Sequence, residues 1–266
     1  MTAARFRSRF LLAGASVVGP AHARAGRNNQ DAWSAWIGDD LAVLVVADGC
    51  SGGTASEVGA HFAARWIVAQ AARRWSRQCV GRHDAFVGEL FDGLTRELGI
   101  LAHSLSPEPS QSPMVVADLL LTTVLVALID HDSASVFGIG DGLVVVDGAP
   151  VILESDGQRG PEYLAYRLCS PADTGYDATS IAPRLLARAE THALRTLVLA
   201  TDGAKELLPS RAGSDRLTPL FEDGVVARRP ALLQHRLAEI AAEPGLLDDD
   251  VTLVALMANP RHEERR

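Results

Sequence analysis

The chain predicts an α+β fold built on antiparallel sheets, and three observations carry that reading. Its apolar runs come in the order strand, strand, helix, helix and then a series of strands, without the regular strand and helix alternation of a doubly wound parallel sheet. The strands of the second half are separated by Asp-Gly pairs of the kind that turn hairpins. Across the 266 residues, 47% are hydrophobic and 22% charged, a globular balance that leaves room for a substantial core. One domain is expected over 1–258, followed by a charged tail over 259–266.

Each element has a local justification. Residues 10–18 and 41–47 are short apolar runs bounded by polar or glycine punctuation, too short for helices and long enough for strands. Thr54 with Glu57 three residues on reads as a capping box, and Val58, Phe62, Ala63, Trp66 and Ile67 continue an apolar stripe toward Trp75. Over 84–105, Phe86, Leu90, Leu94, Leu98, Leu101 and Leu105 recur every three or four residues, which predicts a second helix with a core face. Residues 106–113 form a Pro and Ser rich loop. Strands are expected at 119–129, 135–140, 143–146 and 151–153, where β-branched and apolar residues dominate. From 155 to 195 the pattern weakens into scattered Gly, Pro and Asp with a brief helical hint at 183–190, and the stretch reads as an inserted flap. A strand at 196–200, a helix near 230–242 and a closing strand at 251–257 complete the order.

Composition excludes several functions. Basic residues number 25 against 33 acidic, a net charge of −8 with no long basic run, which offers nucleic acid or an anionic membrane little to hold. Cys50, Cys79 and Cys169 are widely spaced and form neither a zinc pattern nor a disulfide framework, which suits a reducing, cytoplasmic compartment. Arg5, Arg7 and Arg9 before the apolar Phe10–Val18 and Ala21-His22-Ala23 loosely match a signal peptide, and the same run reads equally well as an edge strand. No segment approaches the ~18 apolar residues of a membrane span.

The chemistry concentrates in acids at strand ends. Two apolar strands end in Asp-Gly, at Asp48-Gly49 and Asp202-Gly203. Neither continues into a returning strand, so a hairpin turn fits them badly, whereas Asp141-Gly142 and Asp147-Gly148 read as hairpin turns between strands. Asp31 precedes a strand, Asp118 opens the strand that contains Thr122-Thr123, and Asp248-Asp249-Asp250 leads into the last strand. Carboxylates brought together repel unless cations neutralise them, and oxygen ligands without clustered His or Cys select hard cations such as Mg²⁺ or Mn²⁺.

Asn29-Gln30-Asp31, Asp48-Gly49-Cys50-Ser51-Gly52-Gly53, Asp118 before Thr122-Thr123, Gly140-Asp141-Gly142, Thr201-Asp202-Gly203 and Asp249-Asp250-Val251-Thr252 stand in the order and spacing of one family. Over about 10–258 the chain resembles the metal-dependent type 2C protein phosphatases, in their bacterial branch. The resemblance implies a four-layer α-β-β-α sandwich of two antiparallel sheets flanked by helix pairs. It further implies hydrolysis of phosphoserine and phosphothreonine by a metal-activated water, with two Mn²⁺ or Mg²⁺ ions and a weaker third. By the same resemblance Asp48 would bridge the pair, Gly49 would lend its carbonyl, Asp202 and Asp249 would complete the ligands, Asp31 would act through water, and Asp118 would serve the third ion. Implied partners are a phosphorylated protein and the protein kinase that opposes the enzyme, or that kinase's target. The chain departs from the family at three places. Gly26 stands where many relatives carry a phosphate-binding arginine, so either Arg24 or Arg27 takes that role or the contact is missing; Cys50 replaces a histidine, and Leu121 replaces a glycine. A competing reading is a degenerate phosphatase-like module that binds a partner without turnover.

Overall fold

The structure, a computed structural model, describes residues 3–154, 160–209, 214–222 and 224–260. Residues 155–159 of the expected flap and 261–266 of the expected tail lie outside the described residues. The chain runs α1 (Ala3–Arg9), β1 (Phe10–Val17), α2 (Pro20–Arg24), β2 (Asp31–Ile37), β3 (Ala42–Gly49), α3 (Glu57–Arg74) and α4 (His83–Leu105). A one-turn α5 (Ser112–Val115) precedes β4 (Thr122–Ile129), β5 (Ser133–Ile139), β6 (Gly142–Val146) and β7 (Ala149–Leu153). Then follow α6 (Pro171–Thr174), β8 (Arg184–Glu190), β9 (Thr196–Ala200), α7 (Pro219–Glu222), α8 (Val225–Arg228), α9 (Leu232–Ala241) and β10 (Val251–Ala258).

The strands form two five-stranded antiparallel sheets, ordered β1-β10-β9-β6-β7 and β2-β3-β4-β5-β8. Side-chain alternation sorts them into layers. In β3, Val43, Val45 and Ala47 pack against α3 and α4, while Ala42, Leu44 and Val46 meet Leu199, Val254 and Leu256 of the other sheet. In β10, Val251, Leu253 and Ala255 turn outward to Leu233 and Leu237 of α9. Both sheets are thus covered on both faces, giving the four layers that the resemblance implies. Each such buried leucine or valine contributes about 1.5–3 kcal/mol, and several together outweigh the repulsion of acids gathered at the rim. Among the described residues no helix is long and apolar enough to cross a membrane.

Several elements differ from the sequence expectation. The capping box is absent: α3 begins at Glu57, the Ser56 hydroxyl donates to the Cys50 carbonyl, and Glu57 accepts from Asn28 Nδ2 at 2.7 Å. The face that α3 buries is Gly59, Ala60, Ala63, Ala64, Ile67, Val68 and Ala71, small residues that let the helix approach β3, whereas Val58 is exposed. Within the expected helical stretch 183–190, Arg184–Glu190 supply a strand rather than a helical turn, because the free edge of β5 offers backbone partners that outweigh the helix propensity of Leu, Ala, Arg and Glu. Asp118 does not open a strand. Val116–Leu120 coils as a π-helical turn over the start of α3, with the Asp118 carbonyl accepting from Ala55 N at 3.1 Å, and β4 starts only at Thr122. Asp147-Gly148 does turn the β6–β7 hairpin, with Asp147 at φ 49° and Gly148 at φ 83°. Asp141-Gly142 does not turn a hairpin, because β5 and β6 lie in different sheets and this segment crosses between them.

Candidate active site

Period-two alternation decides which acids meet. Leu44 and Val46 face the gap between the sheets, so Asp48, two residues on, points to the end of that gap. Antiparallel register sets Asp31 directly opposite Asp48 on the same face. In the other sheet Leu197 and Leu199 face the gap, and so does Thr201, whose hydroxyl donates to Asp31 Oδ2 at 2.7 Å. The starts of β2, β4, β6 and β10 and the ends of β3, β5 and β9 all fall at this one end of the sandwich. That common end explains why acids far apart in sequence collect there.

The electrostatics show uncompensated negative charge. Burial drives the Asp31 carboxyl up to about 8; the Thr201 hydrogen bond opposes the shift and the Asp250 charge adds to it. Asp48 is pushed well above the usual carboxylate range by burial and then by the charges of Asp31 and Asp202. Asp141 rises to about 6 through burial and the Asp202 charge, with Lys205 opposing. Asp249 also rises, mainly through burial. Asp48, Asp141 and Asp202 each offer an oxygen within 4.8 Å of the others, and His22, Asp249 and Asp250 form a second such group. Three converging carboxylates, with Asp48 and Asp141 raised, form a donor set suited to a hard divalent cation, which relieves the repulsion that protons otherwise relieve.

The remaining sequence-predicted residues surround these groups. Gly49 ends β3 with its N–H donating to the Gln30 carbonyl at 3.1 Å. Asp118 is half-buried on its turn and lies in neither group among the described residues. The Arg27 guanidinium donates to the Ser51 carbonyl, in the loop that directly follows Asp48-Gly49-Cys50. Arg24 is exposed on the last turn of α2. Cys50, in the position of the family's histidine, neighbours the buried Tyr163, whose hydroxyl is raised by burial and then by Cys50 and Asp48.

Sequence reasoning missed three members of the site. Asp141 looked like a hairpin turn, although its place in the ordered Gly140-Asp141-Gly142 motif was a signal for the other assignment. Asp250 stood inside the acidic triplet without a role of its own, and His22 carried no local signal beyond an apolar context.

Comparison with known proteins agrees with the fold. The family described as protein phosphatase 2C matches residues 18–241. A bacterial serine phosphatase, in a point-variant crystal structure, superposes with a TM-score of 0.62 at 16% identity over 93% of this chain and 97% of its own. The serine/threonine phosphatase Stp1 from Staphylococcus aureus gives 0.55 at 16% identity over 92% and 94%. The catalytic domain of the serine threonine protein phosphatase PstP, solved with two manganese ions, gives 0.52 at 18% identity over 94% and 98%. These likenesses establish the fold. No curated protein sequence matches the chain.

Proposed function

The chain belongs to the protein phosphatase 2C family, and from that membership we propose a metal-dependent protein serine/threonine phosphatase acting on phosphoserine and phosphothreonine. The observation that carries the reading is the convergence of Asp48, Asp141 and Asp202 at the rim between the sheets. Asp48, Asp141 and Asp202 would hold Mn²⁺ or Mg²⁺, with Asp249 and the Gly49 carbonyl contributing and Asp118 serving a weaker third ion. The two manganese ions of the PstP structure support a paired site by analogy. When bound, the cations supply charge neutralisation and activation of the attacking water.

The chain's own residues do the rest. Asp31, buried and held by Thr201, sits across from Asp48, where it orients water. Arg27, kept beside the Asp48 loop by its bond to Ser51, offers a guanidinium fork to the phosphate, with Arg24 nearby in sequence. The flap over 155–195, within a single domain over 1–258, discriminates among phosphoproteins. We place the enzyme in the cytoplasm, opposing a protein kinase on that kinase or its target. The binding-only module is disfavoured because loss of turnover removes the pressure to keep the acids together.

The test compares hydrolysis of a phosphothreonine peptide and a nucleotide with Mn²⁺, with Mg²⁺ and after chelation. Cation-dependent turnover of the peptide is expected. Turnover unchanged by EDTA, or confined to the nucleotide, overturns the reading.

A further inference from the structure

We propose that Asp250 and His22 form a buried clasp that positions Asp249 and Asp202 as cation ligands, an inference that rests on the metal reading above. The Asp250 side chain is 2% exposed. Its Oδ1 accepts the Gly19 N–H at 2.7 Å, and its Oδ2 accepts the Gln30 N–H at 2.7 Å and His22 Nδ1 at 2.9 Å. Gly19 follows β1 in one sheet, and Gln30 immediately precedes Asp31 at the head of β2 in the other. One carboxylate at the head of β10 therefore ties the two sheets together at the end where the acids collect.

Close backbone approach reinforces the clasp. A Cβ on Gly19 would overlap the Asp249 carbonyl carbon, and one on Gly203 would overlap the Asp250 carbonyl oxygen. The Asp249-Asp250 backbone is thus sandwiched between two glycines, and Gly203 directly follows Asp202. Any shift of Asp250 is passed to Asp249 through the chain and to Asp202 through that contact. The Asp250 N–H also donates to Asp249 Oδ1 at 2.8 Å, which fixes the rotation of the Asp249 carboxylate and leaves Oδ2 clear of that bond.

Asp250 itself is a poor ligand despite its place in the second acidic group. A carboxylate offers about four lone-pair directions, and three are taken by donors in a buried setting where freeing an N–H is costly. It acts through its neighbours, and His22 holds it in register. An amide at position 250 would set an NH₂ group against the Gly19 or Gln30 N–H, two donors facing each other.

Isothermal titration calorimetry with Mn²⁺ tests the clasp on full-length protein, with melting temperatures recorded alongside. Asp250→Asn and His22→Ala are expected to weaken Mn²⁺ binding by about tenfold or more, the usual cost of losing an outer partner of a ligand. His22→Asn, whose amide N–H can replace Nδ1–H, is expected to recover most of that loss. Activity on an aryl phosphate should follow the same order in kcat, with KM nearly unchanged. If Asp250→Asn does not fold, the His22 pair decides. Wild-type Mn²⁺ affinity in His22→Ala, or no recovery in His22→Asn, overturns the clasp. A wild-type protein that takes up no Mn²⁺ overturns the metal reading and the clasp with it.

Discussion

Thr201 and Asp31 are joined across the gap between the sheets by a 2.7 Å hydrogen bond, although 170 residues separate them in the chain. Thr201 directly follows β9 in one sheet and Asp31 opens β2 in the other, so the bond fixes how the two halves of the acid cluster face each other. Thr201 is itself held, its N–H donating to the Thr252 carbonyl at 2.9 Å and its hydroxyl accepting from Thr252 N at 3.0 Å.

That arrangement predicts how metal-free stability depends on pH. Asp31 and Asp141 sit at about 8 and about 6, above the ordinary 3.8, and Asp48 is raised as well. The native chain therefore keeps protons that the unfolded chain releases, and stability falls as pH rises from about 4 to about 8. Melting temperatures in EDTA should decline across that window, and Mn²⁺ should flatten the decline. Thr201→Val removes a bond that holds Asp31 down and should extend the decline to higher pH. A melting temperature that climbs with pH over the window contradicts the cluster's electrostatics.

Asp48→Asn and Asp202→Asn should each remove at least two orders of magnitude of kcat on a phosphothreonine peptide, about 2.7 kcal/mol of barrier or more. Both variants should fold and melt at or above the wild-type temperature in EDTA, because each removes a carboxyl group from a crowded acid cluster. Steady-state kinetics and a thermal scan check the pair of outcomes, and retained turnover in either variant removes that residue from the chemistry.

Arg27→Ala should raise KM for the phosphopeptide several-fold or more while leaving Mn²⁺ binding intact, since a charged contact to phosphate is lost without a change in the acids. Arg24→Ala, on the last turn of α2, should have the smaller effect, because it is Arg27 that is tied to the loop after Asp48. The reverse ranking transfers the phosphate role to Arg24, and unaltered KM in both variants leaves the substrate held by cations alone.

Asp118→Asn should leave the melting temperature and two tightly bound ions unchanged, lower kcat tenfold or more, and raise the Mn²⁺ concentration needed for half-maximal rate. A site with one protein carboxylate and mostly water ligands binds loosely, so its loss registers in kinetics rather than in folding. Calorimetry with unchanged stoichiometry beside wild-type kcat would confine Asp118 to its structural turn.

His83→Ala should destabilise the fold by about 3 kcal/mol with little change in kcat. Its ring bridges Ser135 Oγ at 2.9 Å and the buried Asp130 at 3.0 Å, and despite its burial Asp130 is held at about 2 by His83 and by the N–H groups of Ser133 and Asp132. Asp130 follows β4 at the far end from the acids, about 27 Å away along eight residues at ~3.4 Å each. Equilibrium denaturation measures the loss, and a comparable drop in kcat would mean the two ends are coupled.

Much of this protein was legible along the chain because it depends on neighbours in sequence. Apolar runs of strand length, the leucine repeat of α4 and acids standing at strand ends follow from spacing alone, and the ordered motifs named the family and the sandwich. What local spacing left open, pairing decided. Gly140-Asp141-Gly142 suits a hairpin and a crossover equally; only the assignment of β5 and β6 to different sheets turns Asp141 toward Asp48 and Asp202. Residues 184–190 have helix-forming side chains, yet the open edge of β5 makes them a strand. His22 and Asp250 lie 228 residues apart, and nothing in the composition around either one signals the other. The physical reason is the same in each case: propensity acts over a few residues with energies of tenths of a kcal/mol, whereas buried hydrogen bonds and packed faces act between residues that meet only once the sheets have formed.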